Sequence, residues 1–283
     1  MSTSSRSNEP PSLGDFPGTL VLVGAGKMGG ALLEGWLQLG LAPAKLAVIE
    51  PLPSSEVAGL AARGTKLNPA LQSLPKPAAV VIAVKPQNAA EIMPLLAPIA
   101  GGSTVILSIM AGKTLGFLAQ SLPPGGAIVR SMPNTPAAIG RGITVAVANA
   151  QTTPAQHALA DRLLAATGLV EWVDDESLLD AVTAVSGSGP AYVFLLAESL
   201  AKAGAAAGLP ADLAARLARE TVAGSGELLR RSALDAAVLR QNVTSPGGTT
   251  AAALDVLMAE QGLEPLLRKA VAAATRRSRE LAG

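Results

Sequence analysis

Residues 19–36 read TLVLVGAGKMGGALLEGW, and the fold turns on how the middle of this stretch is read. Four apolar residues, 20–23, predict a buried strand, and residues 28–39 place apolar side chains at helical spacing. Between them run Val23, Gly24, Ala25, Gly26, Lys27, Met28 and Gly29. A G-x-G-x-x-G pattern recurs by chance in a chain with 29 glycines. Its place between a strand and a helix is nevertheless the context that a dinucleotide-binding loop requires. There Gly24 would permit the tight turn, Gly26 would let a pyrophosphate reach the backbone, and Gly29 would let the helix pack on the sheet. The helix start would face the anion with free amides and a partial positive charge. An ordinary glycine-rich turn is the plainer alternative.

Outward from this loop, short apolar runs predict strands at 46–49, 79–84, 104–108, 127–129, 143–148 and 170–173. Helical patterns fall between them, at 88–96 and 154–166 among others. This alternation predicts an α/β Rossmann-type domain built on a parallel sheet, over residues 19–173. From 174 to 283 the pattern is helical throughout, with helices expected at 175–184, 191–207, 211–230, 249–260 and 263–281. Residues 1–18, polar and rich in proline and serine, read as a disordered leader with no signal-peptide core.

Composition narrows the function. Hydrophobic residues make up 49% and charged ones 15%, so a sizeable core is expected. A net charge of +1 gives no footprint for nucleic acid or an acidic membrane surface. With no cysteine, thiolate metal sites and cysteine nucleophiles are excluded, which suits the cytoplasm. No apolar strand-like run approaches the length needed to span a bilayer, so a membrane partner is not expected.

Ligands of an open parallel sheet sit at the carboxyl ends of its strands. Glu50 ends the second strand, 21 residues beyond Gly29. There an acidic side chain accepts hydrogen bonds from the adenosine ribose diol, unless it is simply an exposed strand-end carboxylate. VIAVKPQ brings Ala83, Val84, Lys85 and Pro86 to the same edge, and ILSIMAG brings Met110, Ala111 and Gly112. Lys85 reads equally well as a solvated strand cap. SMPNTPAAIGRG adds Asn134 on a stiff crossing segment, or on a merely rigid turn. Far along the chain, VTSPGGTTAAAL (residues 243–254) sets two glycines among hydroxyls at the mouth of a predicted helix. A tight interhelical turn with a Ser/Thr cap would explain the glycines but not the density of hydroxyls.

VGAGKMG, AVKP, MPNTP, DAVTAVSGSGPAY and SPGGTT occur in this order, and together they resemble pyrroline-5-carboxylate reductase over residues 19–281. The resemblance implies reduction of 1-pyrroline-5-carboxylate to L-proline with NADP or NAD as cofactor. It implies a Rossmann domain followed by an all-α dimerisation domain that intertwines with a second subunit in a homodimer. A decamer of five dimers is the first expectation for the full assembly and a dimer the second. It further implies that Ser245, Thr249 and Thr250 surround the substrate carboxylate and ring nitrogen, with Asn242 close by. Glu176 would approach the substrate nitrogen; its plainer reading is a first-turn helix carboxylate. SGSGPAY (186–192) resembles a dimer-core turn, for packing before ligand contact. The coenzyme is where the chain departs from its relatives, since VIEPLPSSE places Glu50 after the second strand and no lysine or arginine before Arg63. Ser54 and Ser55 remain to take a 2′-phosphate, so both coenzymes are expected to serve, NADH better than is usual in the family.

The residues also limit the mechanism. The single His157 lies in an amphipathic helix and is expected to be solvated. No Ser/His/Asp triad or metal cluster is apparent. Hydride addition to a protonated imine needs alignment and dryness more than a nucleophile. Thr250 is the candidate for orienting the ring nitrogen and Lys85 for adding positive potential; no proton donor emerges. A related imine reductase or β-hydroxyacid dehydrogenase is a second reading, though the latter wants a lysine that DAVTAVSGSGPAYVF lacks. A noncatalytic nucleotide-binding oligomer is a third.

Overall fold

Alternate residues of a strand face opposite sides of its sheet, so a strand covered on both faces must be apolar at every position. In the computed structural model, which describes residues 12–282, β1 (Leu20–Val23) sends Leu20 and Leu22 into one core cluster and Val21 and Val23 into another. After it come α1 (Lys27–Gln38), β2 (Leu46–Ile49), α2 (Ser55–Gly59), β3 (Lys66–Leu67), β4 (Ala79–Ile82) and α3 (Ala89–Leu96). The α/β part continues with β5 (Val105–Ser108), α4 (Leu115–Gln120), β6 (Ala127–Met132), β7 (Gly142–Ala148), α5 (Pro154–Leu164) and β8 (Gly168–Trp172).

These strands form one eight-stranded sheet in the order β3-β2-β1-β4-β5-β6-β7-β8. The chain reverses its direction of winding at β1, which pairs with β2 on one side and β4 on the other. That is the topological switch point where such sheets bind ligands. All pairings are parallel except that of β6 with β7. The sheet is therefore mixed, not purely parallel. The nine residues 133–141 between these strands are too few for a crossover, and only an antiparallel return fits. On one face α1 packs close to the turn after α5. A Cβ on Gly35 would stand 2.5 Å from the Ala166 carbonyl oxygen, and the buried indole of Trp36 donates to Leu163 O at 2.8 Å.

The helical remainder comprises α6 (Leu178–Val182), a π-helical turn (Thr183–Gly187), α7 (Gly189–Ala206), α8 (Ala211–Arg231), α9 (Ala236–Asn242), α10 (Thr249–Leu257) and α11 (Leu263–Ala282). The chain divides into two units: one runs to Gly187 and takes in the chain from Arg276 on, and the other is Ser188–Thr275. The boundary thus falls later than the expected 173/174. Leu179 of α6 is buried with Val145 and Val147 of β7, and the last turns of α11 are tied to α6 by Ser278 Oγ donating to Asp180 at 2.7 Å. Within the second unit, Gly204 of α7 meets α8 so closely that a Cβ there would lie 3.3 Å from Ala214 Cβ. Small residues draw the two helices together, and little else in the unit is covered: α7 and α10 bury no side chain in the single chain.

Two expectations need correction. Residues 1–11 of the predicted leader lie outside the described residues, but 12–18 are ordered. Leu13 and Phe16 sit in the core, and Lys45 donates to Phe16 O at 2.6 Å. Two apolar side chains among polar neighbours were enough to dock the segment. His157 is half-buried, with its ring on Trp172 at a centroid distance of 3.7 Å, not solvated.

Candidate functional site

Each glycine of the first loop has its own spatial reason. Gly24 has φ +92°, and a Cβ on it would come within 2.8 Å of Ala83 O, because the loop leaves β1 directly over the end of β4. A Cβ on Gly29 would lie 2.0 Å from Gly24 O. Gly26 differs: it is exposed, and nothing lies within 4 Å of where its Cβ would be. It caps α1 with no side-chain hydrogen bond, and the first turn carries no acidic residue. The amides of Lys27, Met28 and Gly29 therefore begin a helix whose positive end faces open space. These residues fit a pyrophosphate, since the loop is closed to side chains where it touches protein and open where an anion would approach.

Glu50 joins the loop instead of pointing to solvent. Its Oε2 accepts the Ala25 N–H at 2.8 Å and its Oε1 the Leu52 N–H at 3.2 Å. Beside it a cavity of about 530 Å³ runs along α1 from the loop, lined among others by Ala25, Gly26, Lys27, Ser54, Val57 and Arg63. Arg63 was not paired with the loop from sequence, because a cavity between α1 and the chain after α2 has no linear signature. Ser54 Oγ accepts the Val57 N–H at 3.3 Å as the cap of α2.

At the neighbouring strand ends, β4 stops at Ile82, so Ala83 and Val84 leave the sheet half-buried and Lys85 is exposed before Pro86. Val23 and Met110 bury their side chains in the core, so only their backbones can serve a ligand. Ala111 is exposed. Gly112, at φ +73°, lies against the end of α11, where a Cβ would meet Leu281 O at 3.3 Å. Asn134 is held to the fold, its Oδ1 accepting the Ile143 N–H at 3.0 Å, which clamps the crossing segment to β7.

Glu176 is engaged within the first unit. Its Oε1 accepts from Arg130 Nη1 at 2.7 Å and from Leu115 N at 2.7 Å. The carboxylate is spent within the first unit on a guanidinium only 6% exposed, and is itself 29% exposed. Sequence placed it beside a helix start but could not reveal the arginine on β6 that claims it. Next to it, the hydroxyl and amide of Ser177 donate to Asp175 and hold that carboxyl below the usual range. Glu176→Gln is expected to destabilise the fold by roughly 2 kcal/mol, because it leaves a buried guanidinium without its counter-charge. Chemical denaturation checks this; a residue present only for a ligand would leave the midpoint unmoved.

In the second unit, the turn before α10 is built by its own residues. Pro246 and Gly247, the latter at φ +70°, occupy the central positions, and Gly248 N donates to Ser245 O at 3.0 Å. Proline followed by a left-handed glycine is the composition of a type II turn. Thr244 Oγ1 donates to Arg240 O at 2.7 Å and ties the turn back to α9. A simple Ser/Thr-capped turn is not what forms, since α10 begins on Gly248 with no side-chain cap. Ser245 and Thr249 are exposed, Thr250 is half-buried, and Asn242 ends α9 exposed. Amides at a helix start and hydroxyls thus share one short turn, a composition suited to a carboxylate. The two groups of predicted residues lie in different units. Among the described residues no group of three or more His, Asp or Glu side chains is placed to hold a metal ion.

Comparison with known proteins covers both units. Residues 176–281 match the family model for pyrroline-5-carboxylate reductase dimerisation, and residues 19–112 match that for NADP oxidoreductase, coenzyme F420-dependent. The chain is 39% identical to the pyrroline-5-carboxylate reductase of Pseudomonas aeruginosa, over 93% of this chain and 96% of that one. It is 45% identical to that of Synechocystis sp., over 71% of this chain and 74% of the relative. Among solved structures, a pyrroline-5-carboxylate reductase from Coxiella burnetii superposes with a TM-score of 0.87 at 32% identity, covering 94% of this chain and 99% of that one. Pyrroline carboxylate reductase of Plasmodium falciparum, solved with NADP bound, gives 0.78 at 28% identity, over 94% and 98%.

Proposed function

The chain belongs to the pyrroline-5-carboxylate reductase family, and from that premise we propose how its own residues carry the reaction. It is an oxidoreductase that reduces 1-pyrroline-5-carboxylate to L-proline with NAD(P)H. The relatives match it over almost their whole length, which sets aside the β-hydroxyacid dehydrogenase and the noncatalytic scaffold.

The loop Gly24–Ala25–Gly26–Lys27–Met28–Gly29 holds the coenzyme pyrophosphate, Glu50 the adenosine ribose, and the backbone at Ala83, Val84, Pro86, Ala111 and Gly112 the nicotinamide half. Bound NAD(P)H supplies the hydride, and the imine carbon of the substrate accepts it. The amides at the start of α10, with Ser245 and Thr249, hold the substrate carboxylate, while Asn242 closes the side. The Thr250 hydroxyl orients the ring nitrogen, and Lys85 contributes positive potential toward the carboxylate. An imine that arrives protonated needs no acid from the protein. The observation that carries this assignment is the uncapped start of α10, where amides and hydroxyls are left free together. Family dimerisation over residues 176–281 supports an oligomer, for which we propose a homodimer with intertwined helices and a decamer of such dimers. We also place the enzyme in the cytoplasm, which its lack of cysteine suits. Leu178–Ala206 is long and apolar enough to cross a membrane, with mean hydropathy 1.3. We assign its apolar side chains to the subunit interface instead.

Mixing the protein with NADH or NADPH and the cyclic imine should give imine-dependent coenzyme oxidation with proline as product; no oxidation with either coenzyme would refute the reading. The coenzyme ratio tests Glu50 separately. Glu50→Gln removes a charge that would repel a 2′-phosphate, and should move the ratio of kcat/KM toward NADPH by about 1–2 kcal/mol, roughly tenfold. Parallel kinetics with both coenzymes measure this.

A further inference from the structure

We infer that Asn68 is a positioning residue for coenzyme choice, holding Glu50 where it favours an unphosphorylated ribose. The inference rests on the assignment of Glu50 to the adenosine ribose. Among the described residues Asn68 is the one non-glycine at positive φ, +48°. Left-handed backbone is unfavourable for any side chain, and asparagine tolerates it better than most because its short amide can bond locally. Here the bonds are specific. Asn68 N donates to Val48 O at 2.8 Å, its Nδ2 donates to Glu50 O at 2.9 Å, and its Oδ1 accepts the Glu50 N–H at 2.8 Å.

The two-residue β3 pairs only with Ala47 and Val48 of β2. By turning left-handed at the next residue, the chain aims a carboxamide at β2 where the ladder would otherwise end. That carboxamide does the work of a missing peptide unit, donating and accepting as a neighbouring strand would. Both backbone groups of Glu50 are therefore fixed, and with them the direction of its side chain. The carboxylate then reaches Ala25 N of the Gly-rich loop. Its remaining lone pairs are left for the hydroxyls of a ribose diol. The cavity alongside brings Lys27, Ser54 and Arg63, groups that suit a phosphate, together with the carboxylates Glu34 and Glu56. Coenzyme choice is thus a balance between these carboxylates and the basic groups beside them, and the rigidity of Glu50, the one bonded to the loop, sets it. Loosening Glu50 should weaken NADH and relieve NADPH.

The test is a double-mutant cycle of Asn68→Gly and Glu50→Gln, read by calorimetric titration of the substrate-free protein with NADH and with NADPH. Glycine accepts the left-handed backbone, so the variant loses the clasp without strain. Asn68→Ser, too short to span both groups, is the second variant and carries the same expectation. Asn68→Gly should shift the NADH-to-NADPH affinity ratio about threefold toward NADPH, and the shift should vanish in the Glu50→Gln background, as coupled residues require. Equal weakening of both coenzymes, no change in the ratio, or the same shift in the Glu50→Gln background would overturn the role of Asn68. If Glu50→Gln alone leaves the ratio unmoved, the assignment of Glu50 itself is what fails.

Discussion

Gly26→Val should abolish coenzyme binding while leaving the protein folded. The three glycines of the loop are not equivalent: two are closed in by the fold, and the third faces open space. At Gly24 a side chain would need φ +92° and would meet Ala83 O at 2.8 Å; at Gly29 it would meet Gly24 O at 2.0 Å. Substitutions there displace α1 from the sheet, and any loss of binding would be uninformative. Gly26 has φ −68°, a value open to any residue, and a Cβ there touches nothing. Valine is therefore accommodated in the free chain, yet its two methyls fill the approach to the amides of α1. Losing close contact between a pyrophosphate and a helix start should weaken binding by at least about 3 kcal/mol, or more than 100-fold. Fluorescence titration with NADH and NADPH measures this, and a thermal melt close to that of the parent certifies the fold. Unchanged affinity would mean that the pyrophosphate does not lie over this loop.

How much of this was legible beforehand depended on the range of the interaction concerned. Strands such as LVLV, LAVI and AVVI were readable because a doubly covered strand must be apolar throughout. Two of them, β1 and β2, begin and end at the predicted residues. The two-residue β3 and the short helices α2, α4 and α9 were not readable, since five to seven residues hold too few turns to show a period. The antiparallel turn into β7 was hidden for a different reason: each strand looks the same run either way, and only the length of the connection decides. The steric surroundings of Gly24 and Gly29 were legible because they are local, set by the turn and by the helix that follows it. The offset of Glu50 from the loop led to the residue that bonds Ala25 N, while its role toward a ribose is a proposal from that offset. The pairing of Glu176 with Arg130 was not legible, because the two lie 46 residues apart in sequence. Asn68 was overlooked because its contribution is a backbone angle, which no residue type announces.

Phe194→Asp should leave the protein monomeric and essentially inactive. A helix that is apolar around most of its circumference must be covered around most of it in a soluble assembly, and α7 carries no charge beyond the Glu198–Lys202 pair. Val193, Phe194, Leu195 and Leu196 follow one another on α7, so they point in four directions around the axis. All are exposed in the single chain, Phe194 by 68% and Leu195 by 59%. On α10, Val256 is 72% exposed. A further sign of incompleteness is Ser186 Oγ, buried in the π-helical turn with no hydrogen-bond partner among the described residues. Such a hydroxyl is worth about 1–3 kcal/mol if a partner is supplied. Match of residues 176–281 to the dimerisation model places all of these in the segment through which the family associates. Burying a phenylalanine side chain contributes roughly 1.5–3 kcal/mol per subunit, and a carboxylate in its place adds a desolvation penalty of similar or larger size. In a symmetric dimer the change is felt twice. A total of at least about 4 kcal/mol weakens association roughly 1,000-fold, which takes a nanomolar dimer to a micromolar one and dissociates it when the protein is diluted well below micromolar concentration. Light scattering should then report a single chain. On the proposal of an intertwined dimer, with the turn at Ser245–Thr250 of one subunit serving the coenzyme of the other, imine-dependent oxidation should fall with the dimer population, while NADH binding to the first unit persists. A Phe194→Asp monomer with full activity would show that one chain suffices, and would remove the intertwined dimer from the catalytic unit.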